Sequence, residues 1–281
     1  MLKVYGFSKV NAVARGNTRD LRVLWALEEM ELPFELVGMD HPAHQLNTDA
    51  YRRLSPFEQI PAIDDDTLVL SESAAIVIYL AKKAGKLIPS DLAGEAQVVR
   101  WCFAAMNSVE LPLVNILFID WAKDGSCGKY REFTVGWANH LLTGLERWLD
   151  RREYLATESF TVADILMSHV LKGIKDEALL APYPRNELSR SLSCASGLEA
   201  HDRQLPHQGR GSVAGRYRVT AFRRRCYRSH PRMFSALAIE MKVAVDTPCS
   251  GCGSPAPGPI RSGAQRPASN PCRRGSTARP R

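Results

Sequence analysis

Apolar and polar positions alternate from Leu2 to Phe7, where valine, tyrosine and phenylalanine predict a short strand with two unlike faces. A polar stretch, Ser8 to Asn17, reads as a loop. From Thr18 to Met30 the period changes. Val23, Leu27 and Met30 recur at helical spacing, Asn17 or Thr18 can cap the first turn, and Leu32-Pro33 ends the helix. Phe34 to Met39 predicts a second strand, and strand, helix, strand in this order imply parallel neighbours in an α/β sheet. Farther on, Ile60 to Ile63 and Leu68 to Leu70 flank Asp64-Asp65-Asp66-Thr67, the pattern of an antiparallel hairpin with acidic turn chemistry. Ser71-Glu72-Ser73 then opens a helix whose apolar face holds Ile76, Tyr79 and Leu80, and Gly85 stops it. This order of elements is that of an α/β thioredoxin-like domain over residues 1–88.

Between Ala93 and Ala181 no strand pattern occurs, which predicts an all-α domain over residues 93–184. Trp137, Leu141, Leu145 and Trp148 sit at i, i+4, i+8 and i+11, a stripe expected to be buried. Trp101, Trp137 and Trp148 are assigned to the core rather than to a substrate wall. In Phe160-Thr161-Val162-Ala163-Asp164-Ile165, Thr161 can cap a helix while Asp164 reaches back to the cap amide and Phe160 staples against Ile165. Thr161 and Asp164 are therefore structural residues, each half of the motif being worth about 1 kcal/mol. His44, His140 and His169 lie apart from one another in sequence and are assigned no chemistry.

Composition changes this picture at one point. Of 281 residues 45% are apolar, enough for one large or two small domains, and the net charge of +7 invites a nucleic-acid partner. The charge is not evenly spread: residues 187–281 hold 17 Lys and Arg against 5 Asp and Glu, leaving 20 against 25 in residues 1–186. The folded part is acidic, so nucleic acid is not an expected partner. Consecutive apolar residues never approach the roughly 18–20 of a membrane span, and Met1-Leu2-Lys3-Val4-Tyr5 starts like a strand rather than a leader, so no membrane partner and a cytoplasmic location are expected. Only Cys102 and Cys127 lie before Glu187, in keeping with a reducing compartment, and neither has a neighbour at metal-ligand spacing.

Three segments now carry a resemblance: Thr18-Arg19-Asp20-Leu21-Arg22-Val23-Leu24-Trp25-Ala26-Leu27-Glu28-Glu29, Ser55-Pro56-Phe57-Glu58-Gln59-Ile60-Pro61-Ala62-Ile63, and Leu70-Ser71-Glu72-Ser73-Ala74-Ala75-Ile76. With the capped Phe160 to Ile165 segment, their order and spacing resemble a bacterial-type cytosolic glutathione S-transferase over about two thirds of the chain. The resemblance implies a transferase that conjugates glutathione, as co-substrate, to a small electrophile, with no metal and with homodimers. It implies a cis bond before Pro61, which turns the Ile60 backbone outward to pair with the cysteinyl part of glutathione like an added strand. Ser73 and Glu72, at a helix N-terminus, are implied to take the γ-glutamyl carboxylate and ammonium, and Gln59 the glycyl end.

The reaction needs a thiolate. A free thiol titrates near about 8.5, and lowering that by two units takes about 2.7 kcal/mol, which a helix N-terminus and one hydroxyl donor can supply. Counting back four residues from Arg22, as the family's serine-type enzymes do, lands on Thr18, the expected hydrogen-bond partner of the sulfur. Ser8 and Tyr5 are the alternatives. Threonine is less usual there than serine, which keeps open a non-catalytic, regulatory or partner-binding protein of the same fold. A disulfide oxidoreductase would need Cys-x-x-Cys at the first helix, and the stretch has no cysteine.

From Glu187 onward the resemblance stops, and Arg, Ser, Gly and Pro make up 46 of 95 residues, a composition that predicts disorder. The family commonly ends in a helix holding Ala-Arg-Pro-Ala-Trp-Lys-Arg-Thr. Ser196 to Asp202 can be encoded TCC GGC CTG GAA GCG CAC GAC, and reading one base later gives Pro-Ala-Trp-Lys-Arg-Thr. The tail is thus expected to be out-of-frame translation after a small insertion or deletion between Pro184 and Ala195, leaving the helical domain without its last helices. Cys226, His230, Cys249, Cys252 and Cys272 fit no standard zinc spacing.

Overall fold

A central strand, β1 (Lys3–Lys9), pairs in parallel with β2 (Glu35–Asp40), Val4 lying opposite Leu36 and Gly6 opposite Gly38. On its other side β1 runs antiparallel to β3 (Ala62–Asp64), with Tyr5 opposite Ala62, and β3 continues into β4 (Val69–Ser71), giving the order β2-β1-β3-β4. The computed structural model describes residues 1–11, 14–123, 125–174 and 176–186; the expected tail after Glu187 lies outside them. The β3–β4 turn is built as its acidic sequence predicts: Asp65 Oδ1 accepts Thr67 and Leu68 N–H at 3.1 and 2.9 Å, and its Oδ2 holds Lys83 at 2.7 Å.

Helices α1 (Asp20–Met30) and α3 (Ser73–Ala84) cover one face of the sheet, and the short α2 (Asp49–Arg52) carries a second cluster of Leu46, Tyr51 and Ile60. Alternation along β1 divides the two: Val4 joins the core with α1, while Tyr5 packs edge-on to Tyr51 with ring centroids 6.2 Å apart. Gly85 ends α3 at φ +62°, the left-handed stop its residue type predicts.

The helical part begins with α4 (Leu92–Phe103), which passes through a π turn (Ala104–Val109) into α5 (Glu110–Ala122). Together they make 31 helical residues with a mean hydropathy of 1.6 in the most apolar window, long and apolar enough to cross a membrane by composition alone. The consecutive-run criterion missed this because polar residues interrupt the stretch; in the fold it packs against α7 (Val162–Lys172) and α6 (Gly128–Leu149). A short α8 (Glu177–Leu180) follows α7. One apolar core runs through both parts, from Val23 and Leu27 through Ile76 and Leu80 to Val98, Trp101, Ile165 and Leu166. Each such side chain contributes about 1.5–3 kcal/mol on burial.

The α6 stripe differs from the sequence reading. Ala138, Leu142, Leu145 and Leu149 are buried, whereas Trp137 is exposed and Trp148 only half-buried, its ring 5.1 Å from Trp101 and 3.9 Å beneath the Arg152 guanidinium. Leu145 is buried as expected, but the inward face runs through Ala138, Leu142 and Leu149 beside it, which leaves Trp148 at the edge of the contact with a cation over its ring. Trp137 is not a core residue.

Candidate functional site

Sheet topology gathers the expected residues at one end of the molecule. The C-terminal end of β1, the start of α1, the entry to β3, the exit of β4 and the start of α3 all meet there, because β3 runs antiparallel to β1 and β4 antiparallel to β3. Ala62 pairs with Ser71, so continuing the ladder one residue sets Pro61 across from Glu72. The Ile60–Pro61 bond is cis, as expected. Tyr51 Oη donates to the Gln59 carbonyl at 3.0 Å and Gln59 N–H donates to Ser55 Oγ at 3.2 Å, fixing the loop while the Gln59 side chain stays exposed.

Glu72 is exposed and adopts φ +72° and ψ 112°, a region costly for a residue with a side chain. That backbone turns the chain abruptly from β4 into α3, whose first amides lack intrahelical partners and point at whatever lies before the helix. Ser73, just inside, is buried and its Oγ accepts from Arg22 Nη1 at 3.2 Å.

At the start of α1 the arrangement corrects the cap reading. The helix begins at Asp20, with Arg19 in the cap position and making no side-chain cap bond. Thr18 is half-buried and lies two residues before the helix, outside the cap position. Asp20 accepts from Phe7 N–H at 2.8 Å and Leu21 N–H at 3.1 Å, tying the end of β1 to the start of α1. Burial raises the Asp20 carboxyl above its ordinary value, against the opposing pull of its hydrogen bonds. Gly6 leaves the room for this: a Cβ there would stand 3.1 Å from Asp20 Oδ2 and 3.0 Å from Leu36 Cδ1. Ser8 is exposed beyond Phe7, and Tyr5 lies on the α2 face of the sheet.

Sequence reasoning used Arg22 only as a landmark for Thr18 and gave it no role. Arg22 is 1% exposed, and its guanidinium donates to His169 Nδ1 at 3.1 Å, Ser73 Oγ at 3.2 Å, Met106 Sδ at 3.1 Å and Glu110 Oε1 at 2.9 Å. Arg19 reaches the same Glu110 oxygen at 2.9 Å. His169, assigned no chemistry from sequence, is buried on α7 and its Nε2 lies 3.1 Å from the Thr18 carbonyl oxygen. The signal was a lone arginine inside the otherwise apolar run from Leu21 to Leu27; its histidine partner is 147 residues away, beyond any local pattern.

The structural residues stand where expected. Thr161 N–H and Oγ1 bond Asp164 Oδ2 at 2.8 and 2.9 Å, completing a capping box on α7, and Leu155 N–H adds a third bond at 2.8 Å. Phe160 packs on Trp25 and Tyr154, with centroids 6.0 and 5.9 Å away. Among the described residues no three His, Cys, Asp or Glu side chains group as metal ligands. A cavity of about 330 Å³ opens under α2 between Tyr5, Met39 and Tyr51, on the sheet face away from α1.

Comparison with known proteins supplies the family. Residues 21–83 match the model of the glutathione S-transferase N-terminal domain, a segment that holds Arg22, Pro61, Glu72 and Ser73 and starts just after Thr18. Glutathione S-transferase 1 of Triticum aestivum is 31% identical over 182 residues, 58% of this chain and 75% of that one. Glutathione S-transferase F11 of Arabidopsis thaliana is 30% identical over 190 residues, covering 64% and 85%. Among solved structures, a glutathione transferase from Burkholderia graminis with two glutathione molecules bound per subunit superposes with a TM-score of 0.61 at 26% identity, covering 72% of this chain and 89% of its own. The fold, the matched N-terminal domain and these relatives agree: the chain belongs to the glutathione S-transferase family.

Proposed function

We propose that this protein binds glutathione at the joined ends of β1, β3, α1 and α3 and conjugates its thiolate to a small electrophile. The observation that carries the reading is the juxtaposition of the Ile60–Pro61 turn with Glu72 and Ser73 at the N-terminus of α3. In this reading the free amides of α3 and the Ser73 hydroxyl take the γ-glutamyl carboxylate, the exposed Glu72 takes the ammonium, Ile60 pairs with the cysteinyl backbone, and Gln59 meets the glycyl end. Among the described residues the Ile60 N–H and C=O make no hydrogen bond, as an edge awaiting a strand-like ligand requires. Thr18, half-buried just before α1, stabilises the thiolate by donating its hydroxyl proton to the sulfur.

Threonine at position 18, where the family's serine-type enzymes carry serine, also supports a second reading, a glutathione-binding protein without turnover. Retention of the full chain on glutathione-agarose followed by a thiol-conjugation assay separates the two. The transferase reading expects Glu72→Ala and Ser73→Ala to lose retention and Thr18→Ala to keep retention while losing most turnover. Retention with no turnover in the unaltered chain selects the second reading, and no retention at all overturns both. We also propose that residues after Glu187 are out of frame; sequencing the gene across codons 180–200 shows the small insertion or deletion, or an unbroken frame that rejects it.

A further inference from the structure

We propose that Arg22 and His169 act together as a positioning pair that fixes Thr18 and Ser73, on the thiol and γ-glutamyl sides of the glutathione site, through one buried guanidinium and one neutral imidazole. The inference rests on the glutathione reading above and assigns its site a support from the helical domain.

The chemistry of the pair leaves one arrangement. A guanidinium only donates, so the Arg22 Nε–H at 3.1 Å requires a lone pair on His169 Nδ1. The imidazole proton must then sit on Nε2, 3.1 Å from the Thr18 carbonyl oxygen, which only accepts. The remaining Arg22 donors go to Ser73 Oγ at 3.2 Å and to Glu110 at 2.9 Å, so a planar fork with fixed directions spans the starts of α1 and α3. Both residues are buried, Arg22 at 1% and His169 at 4% exposure. Well-packed apolar side chains would hold this interface at no electrostatic cost. A buried arginine and histidine aimed at two site residues are explained by what they hold.

Protonation of His169 would break the arrangement, because Nδ1–H would then face Arg22 Nε–H with like charges on both. The groups acting on the ring are Arg22 and Arg19 on α1, the Thr18 carbonyl before it and Lys172 on its own helix, while Ser73 on α3, Met106 in the π turn and Glu110 on α5 meet the Arg22 guanidinium. Burial foremost, then Arg22 and Lys172, hold its pKa well below the ordinary 6.5. The working form is the neutral one.

The test uses the full chain, His169→Gln, which keeps one acceptor and one donor but does not titrate, and His169→Leu, which keeps neither. Conjugation rates and the KM for glutathione are measured across roughly pH 5–8, with imidazole nitrogens followed by 15N NMR without substrate. Expected are a protonated Nε2 with an unprotonated Nδ1 in the NMR spectrum, and an acid fall in kcat/KM that is steeper in the unaltered chain than in His169→Gln, which keeps only the fall from protonation of the thiolate and stays within a few-fold of the unaltered chain at neutral pH. His169→Leu should lose about tenfold or more in kcat/KM for glutathione. A folded His169→Leu within twofold at every pH, an Nδ1–H tautomer, or an acid fall unchanged in His169→Gln overturns the positioning role alone. The NMR and His169→Gln results decide the matter where His169→Leu does not fold. An unaltered chain with the expected tautomer that neither binds nor conjugates glutathione overturns the proposed function, and the positioning role with it.

Discussion

Two helices of the same domain, α6 and α7, show how differently a sequence can specify structure and function. In α7, ten consecutive residues from Val162 to Leu171 are buried, including Asp164, Ser168 and His169. In α6, 22 residues long, burial recurs every three or four positions along one stripe and the other face is solvated. The helix enclosed on all sides is the one that reaches the candidate site, since its polar groups have no water to satisfy them and must bond to other elements. The amphipathic helix satisfies its polar groups in solvent and contributes area. In this fold, then, His169 on α7 joins Glu110 on α5 in tying the helical part to α1, while α6 supplies bulk.

The largest effect expected from breaking that contrast is at Asp164. Asp164→Ala removes the acceptor of the Leu155 and Thr161 amides, leaves both without a partner, and should cost about 3–4 kcal/mol, read as a lower urea midpoint at unchanged slope. On α6 the phase of the stripe is the point to test. Leu142→Ala, at a fully buried position, should cost about 3 kcal/mol, while Leu141→Ala one residue earlier should cost about 1, and equal losses would restore the sequence-derived phase.

A smaller effect concerns proton linkage through α7. His169 titrates well below 6.5 in the fold, so as pH falls past 6.5 the unfolded chain takes up the proton first, and stability present above that pH is lost toward the folded value. Asp20 and Asp164 run the other way: burial raises both, so their linked stability is lost as pH rises through their folded values. The difference between the unaltered chain and His169→Gln therefore isolates the imidazole and should grow by up to about 1.4 kcal/mol per pH unit below 6.5. Smallest of all is Phe133→Ser on the outer face of α6, 69% exposed, which should change stability by less than about 0.5 kcal/mol.

Much of this was legible in residue order. Strand alternation in β1, the acidic β3–β4 turn, the Gly85 stop and the Thr161–Asp164 box depend on residues within a few positions of one another, and the structure has all four. The Pro61 and Glu72-Ser73 segments were legible as motifs, and the fold brings them together at the end of β3 and β4. The failures are of another kind. Thr18 looked like a cap because threonine before a helix usually bonds an amide, yet α1 begins at Asp20 with Arg19 in the cap position, and Asp20 takes the Phe7 and Leu21 amides. Trp137 looked like core because indoles usually are, and the neighbouring helices placed it outward.

By itself the sequence determined which segments are helix and strand, where they stop, and which short motifs could meet glutathione, because those outcomes rest on backbone preferences and hydrogen bonds between near neighbours. Tertiary structure decided which face of α6 is inside, and it decided that Arg22 and His169, 147 residues apart, share a buried hydrogen bond. No local preference encodes such a contact. It exists because packing the two domains removes water from both side chains, and the arginine's donors must then find acceptors wherever the fold has brought them.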